Sequence, residues 1–152
     1  MEGPRRGEHL LPMRSGYSLL DLTVALTLMG LGFSFLLPAA RVQKDRMAVL
    51  AAREATIARI SRARREARLS GGAVVELRRT GSRLWLEAGD LVGDTLGLED
   101  QFGVRMEPGA ASATIPFDAL GVGRLASRSL VFSRGAAQAR LTISAYGRLR
   151  RK

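Results

Sequence analysis

Three stretches of this 152-residue chain have residue types and spacings that could do chemistry. The first is Gly16, with Asp21 five positions later at the start of a long uncharged run. Cleavage after Gly16 would leave an ammonium on Tyr17, one helical turn from the Asp21 carboxylate. In an apolar setting such a pair holds neighbouring helices in one axial register, because a buried charge without a partner is costly. The second is the chain end, Gly147-Arg148-Leu149-Arg150 continued by Arg151 and Lys152, a cationic cluster able to displace counterions from a polyanion. The third is the acidic group Asp90, Asp94, Glu99 and Asp100, whose spacing does not match a calcium loop.

Other chemistry is largely excluded by composition. There is no cysteine, so no disulfide or thiolate metal site can form. His9 is the only histidine and precedes Gly16, so a chain cut there has no imidazole for metal binding or general base work. Gly121-Val122-Gly123 lacks the third glycine of a nucleotide loop. The chain reads as a non-enzyme with no cofactor and no metal.

The elements that must position these groups begin with the uncharged run. No residue between Asp21 and Arg41 carries a charge, and these 19 positions make a helix of about 28 Å, close to the hydrocarbon thickness of a bilayer. A carboxylate at mid-membrane costs about 2.5 to 3.5 kcal/mol, so Asp21 at the start of the run calls for a partner. Arg5, Arg6 and Arg14 precede the run against Glu2 and Glu8, a bias that keeps the N-terminus cytoplasmic and sends the rest across. Pro38-Ala39-Ala40 is a poor version of an ordinary secretory cleavage site.

After Pro38, where a kink is expected, Arg41 to Leu69 holds good helix formers without Gly or Pro. Val42, Val49, Ile57, Ile60, Ala63 and Ala67 give it a narrow apolar stripe, and Gly71-Gly72 ends it. Ala73 to Arg79 and Arg83 to Ala88, around Thr80-Gly81-Ser82, read as a hairpin. Gly103 to Glu107, Ala113 to Phe117, Ser129 to Ser133 and Ala139 to Ser144 read as further strands, whereas Gly89 to Gln101 reads as a mobile acidic loop. The expected class is α+β, one long helix packed on a small antiparallel sheet. The expected divisions are a leader over 1–16, a membrane and assembly helix over 17–40, its exported continuation over 41–70, and a β-rich domain over 71–152.

Charge is unevenly placed along the chain, whose net charge is +10. Residues 41–70 hold nine basic and three acidic side chains; Trp85 to Asp118 holds seven carboxylates against Arg105 alone; Ala119 to Lys152 holds eight basic residues and no acid.

The leader ending in Gly16, then Tyr17, Asp21 and Pro38, resembles the prepilin signal of type IV pilins and type II secretion pseudopilins. The family usually has Phe where this chain has Tyr17, and Glu where it has Asp21. The later order of features, Ala-Arg-Arg-Glu-Ala-Arg-Leu-Ser-Gly-Gly into Val-Val-Glu-Leu, Trp85, Ile115-Pro116-Phe117 with Gly121, and the Gly-Arg-Leu-Arg end, looks like the GspH/FimT family. The resemblance implies a pilin-like fold and cleavage after Gly16 by a prepilin peptidase, with N-methylation of Tyr17. It also implies assembly through Asp21 and Pro38 with other pilins or pseudopilins, and anchorage in the bacterial inner membrane with the C-terminal domain periplasmic. The function implied is that of an H-type minor pseudopilin near the tip of a secretion filament, touching secreted protein substrates. The alternative it implies is a FimT-type pilin whose Gly147, Arg148, Arg150, Arg151 and Lys152 bind double-stranded DNA during natural transformation.

Each of these groups also has a bland reading. The basic end is equally a solvated tail or a dock for an acidic partner; Arg128, Arg134 and Arg140 widen its surface only if they share its face. Arg53, Arg59, Arg62, Arg64, Arg65 and Arg68 nearly encircle their helix and read as solvated, in part against acidic loops of a neighbouring subunit. Arg41, Lys44 and Arg46 are placed for anionic lipid headgroups. Trp85, between Leu84 and Leu86, reads as core or sheet packing, and Gly30 and Gly32 as points of close helix contact.

Overall fold

The computed structural model describes residues 18–88, 91–124 and 127–151. Gly16 and Tyr17 lie outside that range, as do Gly89, Asp90 and Lys152. One helix, α1, runs from Leu19 to Ser70 with Pro38 inside it. The chain divides into two compact units, residues 1–38 and 39–152.

In the first unit α1 is opened by Ser18, whose hydroxyl accepts from the Leu20 amide at 3.3 Å. Ser18 and Asp21 stand three residues apart, the capping-box spacing that places an acid against the first-turn amides. Thr23, Thr27 and Ser34 donate their hydroxyls to the carbonyls of Leu20, Thr23 and Leu31. These hydroxyls are therefore satisfied inside the helix, as an apolar solvent requires. The described side chains from Leu19 to Leu37 are exposed within the chain. One helix long and apolar enough to cross a membrane, α1, is present among the described residues.

In the second unit α1 buries Val49, Ala52, Thr56, Ile60, Ala63 and Ala67, repeating at steps of three and four. The stripe differs from the expected one at both edges. Val42 is exposed and Ile57 only half-buried, while Ala52 and Thr56 take inward places. Three alanines in the stripe let the helix backbone lie close to its partners. Thr56 is buried with its hydroxyl donated to the Ala52 carbonyl at 2.9 Å. The helix stops at Ser70 because Gly71 turns left-handed, at φ +86°.

The strands are β1 (Gly72–Arg78), β2 (Arg83–Ala88), β3 (Leu91–Gly97), β4 (Arg105–Glu107), β5 (Ser112–Asp118), β6 (Arg128–Arg134), β7 (Ala137–Ile143) and β8 (Leu149–Arg151), with a short helix α2 (Leu98–Phe102). They form two four-stranded antiparallel sheets, in the orders β3-β2-β1-β5 and β4-β6-β7-β8. The expected small sheet is thus built as two. Both sheets point alternate residues inward, such as Leu84 and Leu86 of β2 and Leu141 and Ile143 of β7, into one core shared with α1.

Two expectations from composition are corrected. Residues 91–101 of the expected acidic loop lie in strand β3 and helix α2. Leu149 to Arg151 are not a free tail: they form β8, which pairs with β7, with Leu149 opposite Ile143 and Arg151 opposite Leu141.

Candidate interaction surfaces

The tight turn into β8 is set by Ser144, whose hydroxyl accepts from the Arg148 amide at 3.0 Å while the Gly147 amide donates to its carbonyl at 2.8 Å. Gly147 has φ +76°, and a Cβ there would lie 3.1 Å from Phe117 Cε1 and 3.4 Å from the Gly123 nitrogen. The glycine of the Gly-Arg-Leu-Arg end is therefore required by the fold, whatever its arginines do.

Strand alternation then sorts the arginines. Arg151 lies on the inward side with Leu149, and it reaches α1: its Nε donates to Glu54 Oε1 and its Nη2 to Glu54 Oε2, both at 3.0 Å. Hydrogen bonding to Arg151 holds the Glu54 carboxyl below its ordinary value and raises the guanidinium in turn. Arg150 points the other way, opposite Thr142. Arg140 of β7 and Arg105 of β4 share that outer face, paired across the sheet with Val131 and Ser133. Arg148, two residues before Arg150, is exposed. None of Arg105, Arg140, Arg148 and Arg150 forms an ion pair among the described residues, and Glu107 is the face's one carboxylate.

The expected widening set is thus corrected in part: Arg140 shares the face, and Arg128 and Arg134 do not. Arg128 lies on the inward side opposite Ile143, its Nε buried. Arg134 turns inward to Asp45 of α1 at 2.8 Å and to the Phe102 carbonyl. Arg105 was not anticipated, because β4 has only three residues and its partner strand could not be read from local pattern.

The helix arginines are also employed within the chain. Arg59 and Arg62 both meet Asp94 of β3, the second at 3.0 Å. Burial, with Arg62 adding to it, pushes the Arg59 guanidinium below its ordinary value. Arg64 donates to the Gly121 carbonyl at 3.1 Å and the Gly147 carbonyl at 3.4 Å, and Arg68 to the Leu120 carbonyl at 3.2 Å. Acidic loops of a neighbour are not needed to account for these four. Gly121 itself has φ +70°, and a Cβ there would lie 2.8 Å from the Arg64 carbonyl oxygen, so this glycine serves close approach to α1.

Trp85 is not in the core. It is 38% exposed on the outer face of the first sheet beside Val74, above an open groove of about 310 Å³ that Glu76, Arg78, Glu87 and Thr114 also line. Leu84 and Leu86 take the inward positions on either side of it. Gly30 and Gly32 have nothing of this chain within 4 Å of an added Cβ.

Two solved proteins share this arrangement of one long helix and paired antiparallel sheets. The type IV minor pilin FimU of Pseudomonas aeruginosa superposes with a TM-score of 0.57 at 17% identity, covering 70% of this chain and 90% of FimU. A second crystal form of FimU gives 0.54. The fold is that of the minor pilins. The minor pseudopilin EpsH from the type 2 secretion system of Vibrio cholerae has it too, with a TM-score of 0.51 at 18% identity, over 69% of this chain and 95% of EpsH. No protein-family model matches the chain, and no curated protein matches it in sequence. Among the described residues, the outer faces of both sheets and the apolar half of α1 are surfaces that the rest of the chain leaves uncovered.

Proposed function

We propose that this chain is a minor pilin or pseudopilin subunit, anchored in the inner membrane by the first half of α1 and assembled through it into a filament. The observation that carries the reading is the combination of an apolar helical half, Leu19 to Leu37, with a minor-pilin fold built on the same helix. Its work is structural and not catalytic. A prepilin peptidase cuts after Gly16 and Tyr17 is then methylated; Asp21 pairs with the new ammonium of its own chain or a neighbour, and Pro38 marks the exit from the apolar stretch. We assign it to the H-type subunits of a type II secretion filament, at or near the tip, where it meets other pseudopilins and secreted substrates.

The test is assembly in the native host. Asp21→Ala, which leaves the apolar run intact, should leave the chain in the membrane and remove it from sheared filaments. Filament incorporation unchanged by Asp21→Ala would contradict the reading.

A second reading, a DNA-binding minor pilin, is favoured by one observation: Arg140, Arg148 and Arg150 stand together near one outer face without a carboxylate partner. Contacts of this kind hold phosphates and do not read bases. Salt-sensitive duplex binding that falls in Arg140→Ala/Arg150→Ala, with Arg151→Ala much less affected, would support it. Equal binding by native chain and double variant would remove it.

A further inference from the structure

Asp45 is the one carboxylate between Arg41 and Arg53, and the fold removes it from the local charge balance. Arg134, at the end of β6, approaches it with Nε 2.8 Å from Oδ1. The turn that follows closes on the same group: Gly135 has φ +55°, and a Cβ there would lie 2.8 Å from Asp45 Oδ2. Arg134 is held in turn by the Phe102 carbonyl at the end of α2. Arg41, Lys44 and Arg46 on either side of Asp45 are exposed and form no ion pair among the described residues.

Position gives these cations a partner. They come three to eight residues after Pro38 along α1, and the six helical residues from Arg41 to Arg46 span about 9 Å, of the order of one headgroup layer. Glu99 and Asp100 of α2 border the same open groove as Lys44, and Asp100 is engaged by Arg83 at 3.6 Å. Arg41 and Arg46 are outside that groove. We infer that Arg41, Lys44 and Arg46 bind the phosphate headgroups of anionic lipids, and that Arg134 acts as a latch that keeps the Asp45 carboxylate from cancelling them. The inference rests on the membrane anchoring proposed above.

The experiment uses the full chain reconstituted in phosphatidylcholine vesicles, with spin-labelled phosphatidylglycerol and phosphatidylcholine compared for association with the protein. Native protein should prefer the anionic lipid several-fold, since a single uncancelled cation near a charged surface at low salt is already worth about fivefold. Arg41→Gln/Lys44→Gln/Arg46→Gln should bring the ratio to one. Arg134→Gln should lower it by freeing Asp45, and Arg134→Gln/Asp45→Asn should restore it, which a generally damaged fold would not do. A native ratio of one in protein that resists carbonate extraction overturns the lipid inference alone. So does a ratio unmoved by Arg134→Gln, or a preference abolished by millimolar inorganic phosphate. Protein that carbonate strips from the vesicles overturns the anchoring and this inference together.

Discussion

Arg151 and Glu54, 97 residues apart in sequence, meet in a two-pronged ion pair that ties the last strand to the middle of α1. Both groups are exposed, so the contact is screened and its contribution to global stability is small. Its effect is local, because β8 is a three-residue edge strand with one neighbour.

Arg151→Ala should therefore speed hydrogen exchange at the amides of Leu149 to Arg151 and leave those of α1 unchanged. The pair also has a defined pH dependence. The Glu54 carboxyl sits below its ordinary value of 4.5, so the contact is complete above that value and is lost as acid protonates the carboxylate. Protection of the β8 amides, measured against their intrinsic exchange rate at each pH, should fall as pH drops below about 4.5, with no such step in Glu54→Gln.

Gly147 and Arg148 separate what the fold requires at the chain end from what it leaves exposed. Gly147→Ala puts a side chain at positive φ and 3.1 Å from Phe117, and should cost about 1 to 3 kcal/mol in urea unfolding. Arg148→Ala should stay within about 0.5 kcal/mol of the native chain.

Ser82 joins the two sheets. Buried in the turn between β1 and β2, its hydroxyl accepts from the Met106 amide of β4 at 2.9 Å, at a backbone φ of +48°. Ser82→Ala leaves that amide without its partner and should destabilise by about 1 to 3 kcal/mol. Ser82→Gly loses the same bond while relieving the positive φ, and should cost less.

What could be read from the sequence follows the range over which each signal acts. The end of α1 at Gly71-Gly72 and strands β1, β2, β5, β6 and β7 were legible because period-two alternation and turn glycines are local. β3 was not: Gly89, Gly93 and Gly97 among carboxylates resemble a loop, and Asp94 becomes a strand residue with a purpose only when α1 brings Arg59 and Arg62 to it. The same holds for Arg134 and Arg151. Each is a charge at an inward strand position, and only Asp45 and Glu54 on a distant helix make that position tolerable. Of the two places open to Trp85, core or sheet face, the structure takes the sheet face, since Leu84 and Leu86 on either side fix the inward parity of β2.

The most direct test of the account is the mass and N-terminal sequence of the chain extracted from membranes of its native host. The account predicts a chain that begins at Tyr17, lacks residues 1–16 and carries one methyl group on its terminal amine, with Gly16→Ala retaining the leader. A chain that keeps its leader, or one cut after Ala40 and released from the membrane, would contradict it.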